Sequence, residues 1–329
     1  MPDLRHVRLL DAASSPRDEF HTMWDTVDAE LRLHGPVLRE ASVYCPADTA
    51  DSMFVRWLAA HFNRLGLKRL TATSYAPAQT ALFGDDEPHT PPMLLDLTVI
   101  PDGTAGRDRL DVDALARIPG NTVRPLDGDG DFRSMECRPY WRRANIVASN
   151  PPWSLYRDFM RLVRRHRCLP LVLGPLTGVS YRDVLPMLAD GRWRVGASVR
   201  SGVRFTVPDS YPQYGTSTGM LADGRRWVEV NGARWVTPPD SPVREDWPGM
   251  DMRPDEYDRY DNRPDTIDVP RMSLLPARYD GPMGVPITFL DRYSPDRWRI
   301  LDARDGADGR PLTIRGRAVF TRLIVERRA

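Results

Sequence analysis

Two short apolar segments on either side of a helical segment constrain the fold of this chain more than any other feature. Residues 41–45 are typical of a buried strand, and a turn rich in proline, aspartate and threonine follows them. Residues 53–65 carry apolar side chains at helical spacing until Gly66 ends the pattern, and residues 70–75 supply a second strand. Because the connections are short, this order predicts a doubly wound α/β sheet, whose ligands bind at the carboxyl ends of the strands.

The same alternation continues on both sides of this unit. Residues 17–34 place apolar side chains at roughly helical spacing and predict an amphipathic helix. Residues 145–149 predict a third buried strand, and Ser154 is expected to cap a helix that runs to about Arg167. Residues 169–174 then predict the strand that follows this helix.

The second half of the chain has a different character. Short strand-like pieces such as residues 234–237 and 271–275 alternate there with prolines and charged clusters. In the first half, residues 76–125 are rich in proline, aspartate, glycine and threonine and predict a hairpin-like insertion. We therefore predict a regular α/β domain over residues 1–190, with the insertion at about 76–125, and a less regular region over residues 191–329.

Charge gives no global sign of a nucleic-acid partner. The chain has 46 lysine and arginine residues against 45 aspartate and glutamate residues, a net charge of +1. A surface that binds nucleic acid must therefore be a local patch. Lys68 is the only lysine of the chain, which excludes chemistries that need a placed lysine, such as the Gly-Lys-Ser/Thr phosphate loop.

The cysteines and the hydropathy pattern indicate a reducing compartment. Cys45, Cys137 and Cys168 lie far apart and lack the paired spacing of metal ligands, so we expect reduced thiols and no metal. No segment approaches the roughly 20 apolar residues that span a bilayer, and the first residues do not resemble a secretory signal. We expect a cytoplasmic protein without a membrane partner.

A polar residue, two prolines and an aromatic follow the predicted strand 145–149, and they are Asn150, Pro151, Pro152 and Trp153. An amine conjugated to a ring is a poor nucleophile, and it attacks a sulfonium methyl group more readily once its nitrogen becomes pyramidal. The side-chain oxygen of Asn150 and the carbonyl of Pro151 can each accept one amine hydrogen, and Trp153 can stack on a base that has left its duplex. The pattern favours methyl transfer to a planar amino group, with an ordinary proline-rich turn as the alternative.

An acidic turn lies upstream of this motif. Asp127-Gly-Asp-Gly-Asp131 superficially resembles a calcium-binding loop, but Phe132 and Arg138 stand where such a loop has its glycine and its final glutamate. The turn is suited to placing Asp131 and Phe132 beside a nucleoside, and a solvated loop is the alternative.

These residues together resemble a known family, the EcoRI-type adenine-specific DNA methyltransferases, over most of the chain. Asn150-Pro-Pro-Trp-Ser-Leu-Tyr-Arg157 is similar to the Asn-Pro-Pro-Phe-Ser-Leu-Phe-Arg of that family, and Gly128-Asp-Gly-Asp-Phe-Arg-Ser134 to its Gly-Asp-Phe-Arg-Ser. Asp18-Glu-Phe-His-Thr22 resembles its Asp-Glu-Phe-Tyr-Thr segment. Val43-Tyr-Cys45 with Asp48 resembles the family's first strand and turn, and similarity extends to Tyr279–Asp291.

The resemblance implies a Rossmann-like class I methyltransferase sheet with a less regular C-terminal target-recognition region. It further implies S-adenosylmethionine as methyl donor, double-stranded DNA as substrate and N6-methyladenine as product, in the cytosol of a bacterium or of a phage-infected host. The residues expected at the cofactor site are Phe20, Thr22, Asp48, Asp131 and Phe132, with the catalytic set at residues 150–153.

Two alternatives stay open, the first because of departures from the family pattern and the second because an Asn-Pro-Pro-aromatic motif also serves other acceptors. His21 stands in place of a tyrosine, Pro46 and Thr49 replace polar and acidic members of the cofactor turn, and Trp153 replaces phenylalanine. A protein with an altered turn that binds DNA without catalysis is one alternative. The other is an amino methyltransferase that acts on cytosine, RNA or a protein glutamine. A partner restriction enzyme cannot be inferred from the sequence.

Overall fold

The computed structural model describes residues 20–75, 91–199, 201–208, 211, 217–240, 242, 245–303, 311–319 and 321–328. The chain divides into two compact units, one of Met1–Pro175 with Ser198–Asp240 and one of Leu176–Ala197 with Ser241–Ala329. The chain passes between these units three times, after Pro175, Ala197 and Asp240, whereas the sequence predicted one boundary, between residues 190 and 191. The chain returns to the first unit after Ala197 because residues 203–237 supply strands to its sheets.

The strands of the described residues, in chain order, are β1 (His21–Thr22), β2 (Ser42–Pro46), β3 (Arg69–Thr73), β4 (Met93–Leu97), β5 (Thr122–Pro125), β6 (Ile146–Ser149), β7 (Leu169–Pro175), β8 (Arg194–Val195), β9 (Val203–Val207), β10 (Thr218–Met220), β11 (Arg226–Val230), β12 (Ala233–Thr237), β13 (Arg259–Tyr260), β14 (Arg263–Asp268), β15 (Met283–Pro286), β16 (Trp298–Ala303), β17 (Thr313–Ile314), β18 (Arg317–Ala318) and β19 (Arg322–Arg327). The α-helices there are α1 (Trp24–Leu31), α2 (Gly35–Leu38), α3 (Met53–Ala60), α4 (Phe62–Leu65), α5 (Val112–Ala116), α6 (Arg138–Arg143), α7 (Tyr156–Arg165) and α8 (Leu185–Ala189). In this part of the chain, no helix is long and apolar enough to cross a membrane.

A mixed sheet organises the first unit, with neighbouring strands in the order β5-β4-β3-β2-β6-β7-β12. The central four, β3, β2, β6 and β7, run parallel, whereas β4, β5 and β12 are antiparallel to their neighbours. Helix α3 packs against β3, α6 against β2 and α7 against β7, so the apolar runs of the central strands are buried. From β2 the chain moves to β3 on one side and later to β6 on the other, which creates a switch point between β2 and β6. The carboxyl ends of strands at such a point form a ligand crevice.

The sequence predicted the central strands correctly. The predicted strands 41–45, 70–75, 145–149 and 169–174 correspond to β2, β3, β6 and β7 within one or two residues. The predicted helix 53–65 is divided at His61 into α3 and α4, and it ends at Gly66 in a left-handed conformation with φ 61°. The mixed α/β class is confirmed.

Two predicted elements differ from the structure in the first half of the chain. The predicted helix 17–34 begins only at Trp24, because His21 and Thr22 form β1 and pair with β9; residues 17–19 lie outside the described residues. Ser154 does not cap α7; it lies in a 3-10 turn, Trp153–Leu155, and Leu155 precedes the helix without a side-chain cap.

The predicted hairpin-like insertion 76–125 does contain an antiparallel pair of strands. Its described part forms β4 and β5, which extend the edge of the main sheet by antiparallel pairing, with α5 between them. Residues 76–90 of this prediction lie outside the described residues. The pairing explains the apolar run of β4, since four of its five residues are buried.

Two predicted strands of the second half have different outcomes. Residues 234–237 do form a strand, β12, but it pairs with β7 in the main sheet rather than in a separate recognition region. Residues 271–275 contain a 3-10 turn, Met272–Leu274, instead of a strand. Both segments are held by residues that are distant in sequence, β12 by β7 and Leu275 by Met250. A local sequence pattern does not reveal such partners.

A smaller sheet in the first unit has the order β1-β9-β11-β10. Its pairing is antiparallel, and the register places Thr22 opposite Phe205 and His21 opposite Thr206. Phe205 is fully buried in the core of the unit. The sheet thus anchors residues 20–22, which precede α1, to a strand almost 185 residues later in the chain.

The second unit has its own sheet, with strands in the order β13-β14-β15-β19-β16, and a β17–β18 hairpin. Inside it, the hydroxyl of Tyr260 donates to Asp268 at 2.5 Å, and Arg322 Nε donates to the same carboxylate at 2.9 Å. Gly284 permits this arrangement, because a Cβ there would lie 2.0 Å from the Tyr260 hydroxyl. The buried charge of Asp268 is therefore both paired and hydrogen-bonded.

Candidate active site

The motif at residues 150–153 lies directly at the carboxyl end of β6. Every residue of β6 is buried, so the chain leaves the core at Asn150, which is partly buried. Pro151 and Pro152 then fix the backbone, with Pro152 at φ −50° and ψ 127°, and Trp153 begins the 3-10 turn that leads into α7. The site is held between a buried strand and a helix, as the sequence predicted for it.

The side-chain amide of Asn150 makes a hydrogen bond at each end. Its Nδ2 donates to the backbone carbonyl of Phe20 at 3.0 Å, and its Oδ1 accepts from Trp153 Nε1 at 3.2 Å. The first bond joins the turn to the segment that enters β1. The structure thus brings Phe20, predicted at the cofactor site, into contact with two residues of the predicted catalytic set.

Four aromatic rings surround this contact. The Phe20 ring lies 5.1 Å from Trp153, 5.1 Å from Phe205 and 5.7 Å from Tyr211, measured between ring centroids. Trp153 also meets Phe205 edge-on at 6.2 Å. These spacings are those of stabilising aromatic pairs, so the Trp153 ring is held in place and remains only partly buried.

Asp48 lies beyond the carboxyl end of the neighbouring strand β2. Its backbone N–H donates to Thr73 O at 3.1 Å, and its Oδ1 accepts from Ser52 Oγ at 2.5 Å. Asp48 is partly exposed as a residue, but its Oδ2 is buried and has no hydrogen-bond partner among the described residues. Burial raises the pKa of this carboxyl from 3.8 to about 6, although the hydrogen bond from Ser52 opposes the shift.

The turn between β2 and Asp48 contains a feature that sequence reasoning missed. Ala47 has φ 62°, in the left-handed region that glycine adopts most easily. The absence of a Gly-x-Gly pattern after the first strand therefore does not mean the absence of a glycine-like turn. Ser149 Oγ donates to Pro46 O at 3.1 Å and links this turn to the end of β6.

Thr22 supplies a second buried polar atom without a partner. The residue is 9% exposed, and its Oγ1 has no hydrogen-bond partner among the described residues. Buried hydroxyl groups normally make at least one hydrogen bond. Thr22 Oγ1 and Asp48 Oδ2 are thus two polar groups that a polar ligand could satisfy.

The acidic turn brings Asp131 to the carboxyl end of β3. Gly130, at φ 75°, passes so close to this end that a Cβ would lie 1.9 Å from Ser74 O. Burial raises the pKa of Tyr75 to about 12, and the charges of Asp129 and Asp131 add to the effect. Asp48 and Asn150 therefore follow the adjacent strands β2 and β6, and the acidic turn brings Asp131 to the same edge of the sheet, at the carboxyl end of β3.

The neighbours of Asp131 determine how it can act. Both of its oxygens accept from Arg133, which also pairs with Asp158 at 3.3 Å. Phe132 is 3% exposed and packs edge-on against Phe159 in the core. The cofactor contact of Phe132 stays a prediction, and the 3% exposure of the residue leaves only a small part of its surface for a ligand.

Two other features bear on the sequence predictions. Among the described residues, no group of three or more histidine, cysteine, aspartate or glutamate side chains is arranged to hold a metal ion. Cys45, Cys137 and Cys168 are buried free thiols. On α7, Arg161 forms an ion pair with Asp158 of the same helix, at 3.2 Å.

Comparisons with known proteins show which family the sequence matches. The model of the EcoRI adenine-specific methyltransferase family matches residues 8–323. The chain is 28% identical to the Type II methyltransferase M.EcoRI of Escherichia coli, over 96% of this chain and 94% of that protein. It is 25% identical to M.MpnI of Mycoplasma pneumoniae and 26% identical to M.MgeORF184P of Mycoplasma genitalium, each over 88% of this chain and 84% of the relative. No solved structure matches the chain.

Proposed function

The chain belongs to the EcoRI family of adenine-specific methyltransferases, and from this premise we propose how its first unit carries out the reaction. The protein is a site-specific DNA methyltransferase that modifies adenine. We assign methyl transfer to the edge of the main sheet where β3, β2 and β6 end. The observation that carries this assignment is that two hydrogen bonds fix the side-chain amide of Asn150. Asn150 follows β6, and β6 pairs with β2, the strand that precedes Asp48.

The fold proposal is a Rossmann-like class I methyltransferase sheet. Its support is the run of four parallel strands, the switch point between β2 and β6, and an antiparallel β12 beside β7. The crevice at that switch point is where a doubly wound sheet binds its cofactor. We assign target recognition to the second unit, with its separate five-stranded sheet.

S-adenosylmethionine is the proposed methyl donor, and it supplies a methyl group activated on a positively charged sulfur. The residues present fit such a group. Asp48 offers a buried acceptor and Thr22 a buried hydroxyl, and neither atom has another partner among the described residues. Asp131 lies at the carboxyl end of the adjacent strand, β3, and its carboxylate forms an ion pair with Arg133. Phe20 contributes an aromatic face and its carbonyl holds Asn150.

Asn150 and Pro151 hold the exocyclic amine of the adenine. The Oδ1 atom of Asn150 accepts one amine hydrogen and the carbonyl of Pro151 accepts the other. Both acceptors favour a pyramidal nitrogen, whose lone pair is then directed at the methyl carbon. The amine loses a proton only after it becomes cationic, so no strong base is needed, and Pro152 fixes the direction of the Pro151 carbonyl.

The substrate is duplex DNA, from which the adenine must rotate out to reach this edge. Trp153 offers the base an aromatic surface, and such stacking offsets about 1–3 kcal/mol of the unpairing cost. Since the net charge is only +1, contacts with phosphate must come from local groups of arginines.

Replacement of Asn150 by alanine tests the mechanism. We expect the single-turnover rate of methyl transfer to fall about 100- to 1000-fold, as when a positioned polar group is removed from an active site. The affinity for S-adenosylmethionine should change less than threefold, because Asn150 is not among the proposed cofactor residues.

Asn145→Ala is the matched control. Asn145 lies just before the other end of β6, where its Oδ1 accepts from Ser42 N at 3.0 Å. This variant should lose stability and keep its rate of methyl transfer. Full methylation by the Asn150→Ala protein would refute the mechanism, and failure of the wild-type protein to bind S-adenosylmethionine would favour a DNA-binding protein without catalysis.

A further inference from the structure

Trp153 differs from an ordinary stacking residue because its ring also donates a hydrogen bond. The indole Nε1 lies 3.2 Å from Asn150 Oδ1, the atom proposed to accept the amine hydrogen. The indole N–H can only donate a hydrogen bond, so the Asn150 atom that it faces must be the acceptor, Oδ1. A phenylalanine at position 153 would stack equally well and would donate nothing.

The two bonds of the Asn150 amide select one orientation. If oxygen and nitrogen exchanged places, the amide N–H₂ would face the indole N–H, and the amide oxygen would face the carbonyl of Phe20. Both contacts would then change from attraction to repulsion. Trp153 and Phe20 therefore act together as a two-point lock on the amide.

Asn150 Oδ1 can still accept a hydrogen bond from the substrate. An amide oxygen has two lone pairs, and the indole N–H uses one of them. The ring that carries this N–H is itself fixed by Phe20 at 5.1 Å and by Phe205 at 6.2 Å, so the donor cannot swing away freely. The second lone pair stays available for the amine hydrogen.

We propose that Trp153 is a positioning residue whose indole N–H fixes Asn150 Oδ1 toward the adenine amine, in addition to stacking on the base. The inference rests on the proposed function and refines it. It separates two properties of one side chain: the aromatic face, which binds the base, and the N–H, which orders the acceptor. Loss of the N–H alone should lower the rate of transfer without weakening the binding of DNA or cofactor.

The decisive variant replaces Trp153 with 3-benzothienylalanine, incorporated site-specifically, in which sulfur takes the place of the N–H while size and aromatic face are kept. The single-turnover rate at saturating duplex DNA and S-adenosylmethionine is expected to fall about fivefold, the effect of one lost hydrogen bond. The dissociation constants for both ligands should stay within twofold of wild type. Fluorescence of 2-aminopurine at the target position should show unchanged base rotation.

Trp57 provides the matched control. Its Nε1 donates to Asp28 at 2.9 Å, away from the motif, so the same replacement there should lower the melting temperature and leave the rate unchanged. Trp153→Phe gives a second, genetically encoded test, and it should reproduce the fall in rate with unchanged binding constants.

The outcomes separate the inference from the proposed function. A rate within twofold of wild type for both Trp153 variants, with intact binding, would overturn the inference alone. Equal losses in rate and in DNA affinity would also overturn it, because they would assign the whole effect to stacking. A wild-type protein that transfers no methyl group to adenine would overturn the proposed function and the inference together.

Discussion

Asp48→Asn is the change for which the structure gives the sharpest expectation, because the same carboxyl is costly for folding and useful for binding. Burial raises the pKa of Asp48 from 3.8 to about 6, so the folded protein holds this proton more tightly than the unfolded chain. Stability from this group is present below pH 3.8 and is lost as the pH rises to about 6. An amide at position 48 keeps an acceptor for Ser52 and carries no charge.

The magnitude follows from the two pKa values. The interval between 3.8 and about 6 corresponds to roughly 3 kcal/mol at 1.4 kcal/mol per pKa unit. Asp48 is partly exposed, and its amide replacement must also be desolvated, which reduces the expected gain in free energy of unfolding to about 1–2 kcal/mol above pH 7. At pH 4 most of this gain should vanish, because folded Asp48 then holds its proton and carries almost no buried charge for the amide to remove.

Urea denaturation of wild type and Asp48→Asn at pH 4 and pH 7.5, without cofactor, measures this difference, and calorimetric titration measures S-adenosylmethionine binding. The variant should be more stable at pH 7.5 and bind the cofactor at least tenfold more weakly. Asp96→Asn is the control. Asp96 is buried but paired with Arg69 at 2.6 Å, so the free energy of unfolding of this variant should fall by about 1–3 kcal/mol at pH 7.5. A gain for Asp48→Asn that is equal at both pH values, or a loss at pH 7.5, would refute the reasoning.

Two further predictions concern backbone positions. Gly174→Ala should lower the free energy of unfolding by about 2–3 kcal/mol, because its Cβ would lie 2.0 Å from the buried ring of Tyr156; thermal denaturation that shows an unchanged protein would contradict this packing. Ala47→Val should weaken S-adenosylmethionine binding about tenfold while Ala47→Gly keeps it, because φ 62° disfavours a β-branched residue and suits glycine; equal affinities measured by calorimetric titration would contradict the glycine-like turn.

The sequence alone was enough to predict the strands and helices that are marked by a pattern of neighbouring residues. Strands β2, β3, β6 and β7 are buried along nearly their whole length. The helices that cover the faces of a parallel sheet cause this burial, and the mainly apolar segments that result are visible without a structure. The motif at residues 150–153 was visible for the same reason, since the strand before it and the helix after it have clear patterns.

Features that depend on distant contacts were not predictable. The apolar residues Phe20 and Met23 suggested a helix, but the segment is extended because it pairs with β9, whose residues come almost 185 positions later. The buried position of Phe132 depends on Phe159 of α7. The hydrogen bond from Trp153 to Asn150 depends on the angle of a turn, which the order of residues does not specify.

The glycine-like turn shows a different limit. Local rules associate a left-handed residue after the first strand with glycine, and this chain places Ala47 there at φ 62°. The backbone cost is small enough for surrounding contacts to offset, such as the bond from Asp48 N to Thr73 O. A missing glycine is therefore weak evidence against a cofactor turn.

The most direct test of the account is to identify the methylated product. Purified protein is incubated with tritiated S-adenosylmethionine and unmethylated duplex DNA, and the DNA is digested to nucleosides and separated by chromatography. We expect the label to elute with N6-methyldeoxyadenosine, and we expect the Asn150→Ala protein to transfer it at no more than about a hundredth of the wild-type rate under single-turnover conditions. Label in a methylated cytosine, or DNA binding without any transfer of label, would contradict the account.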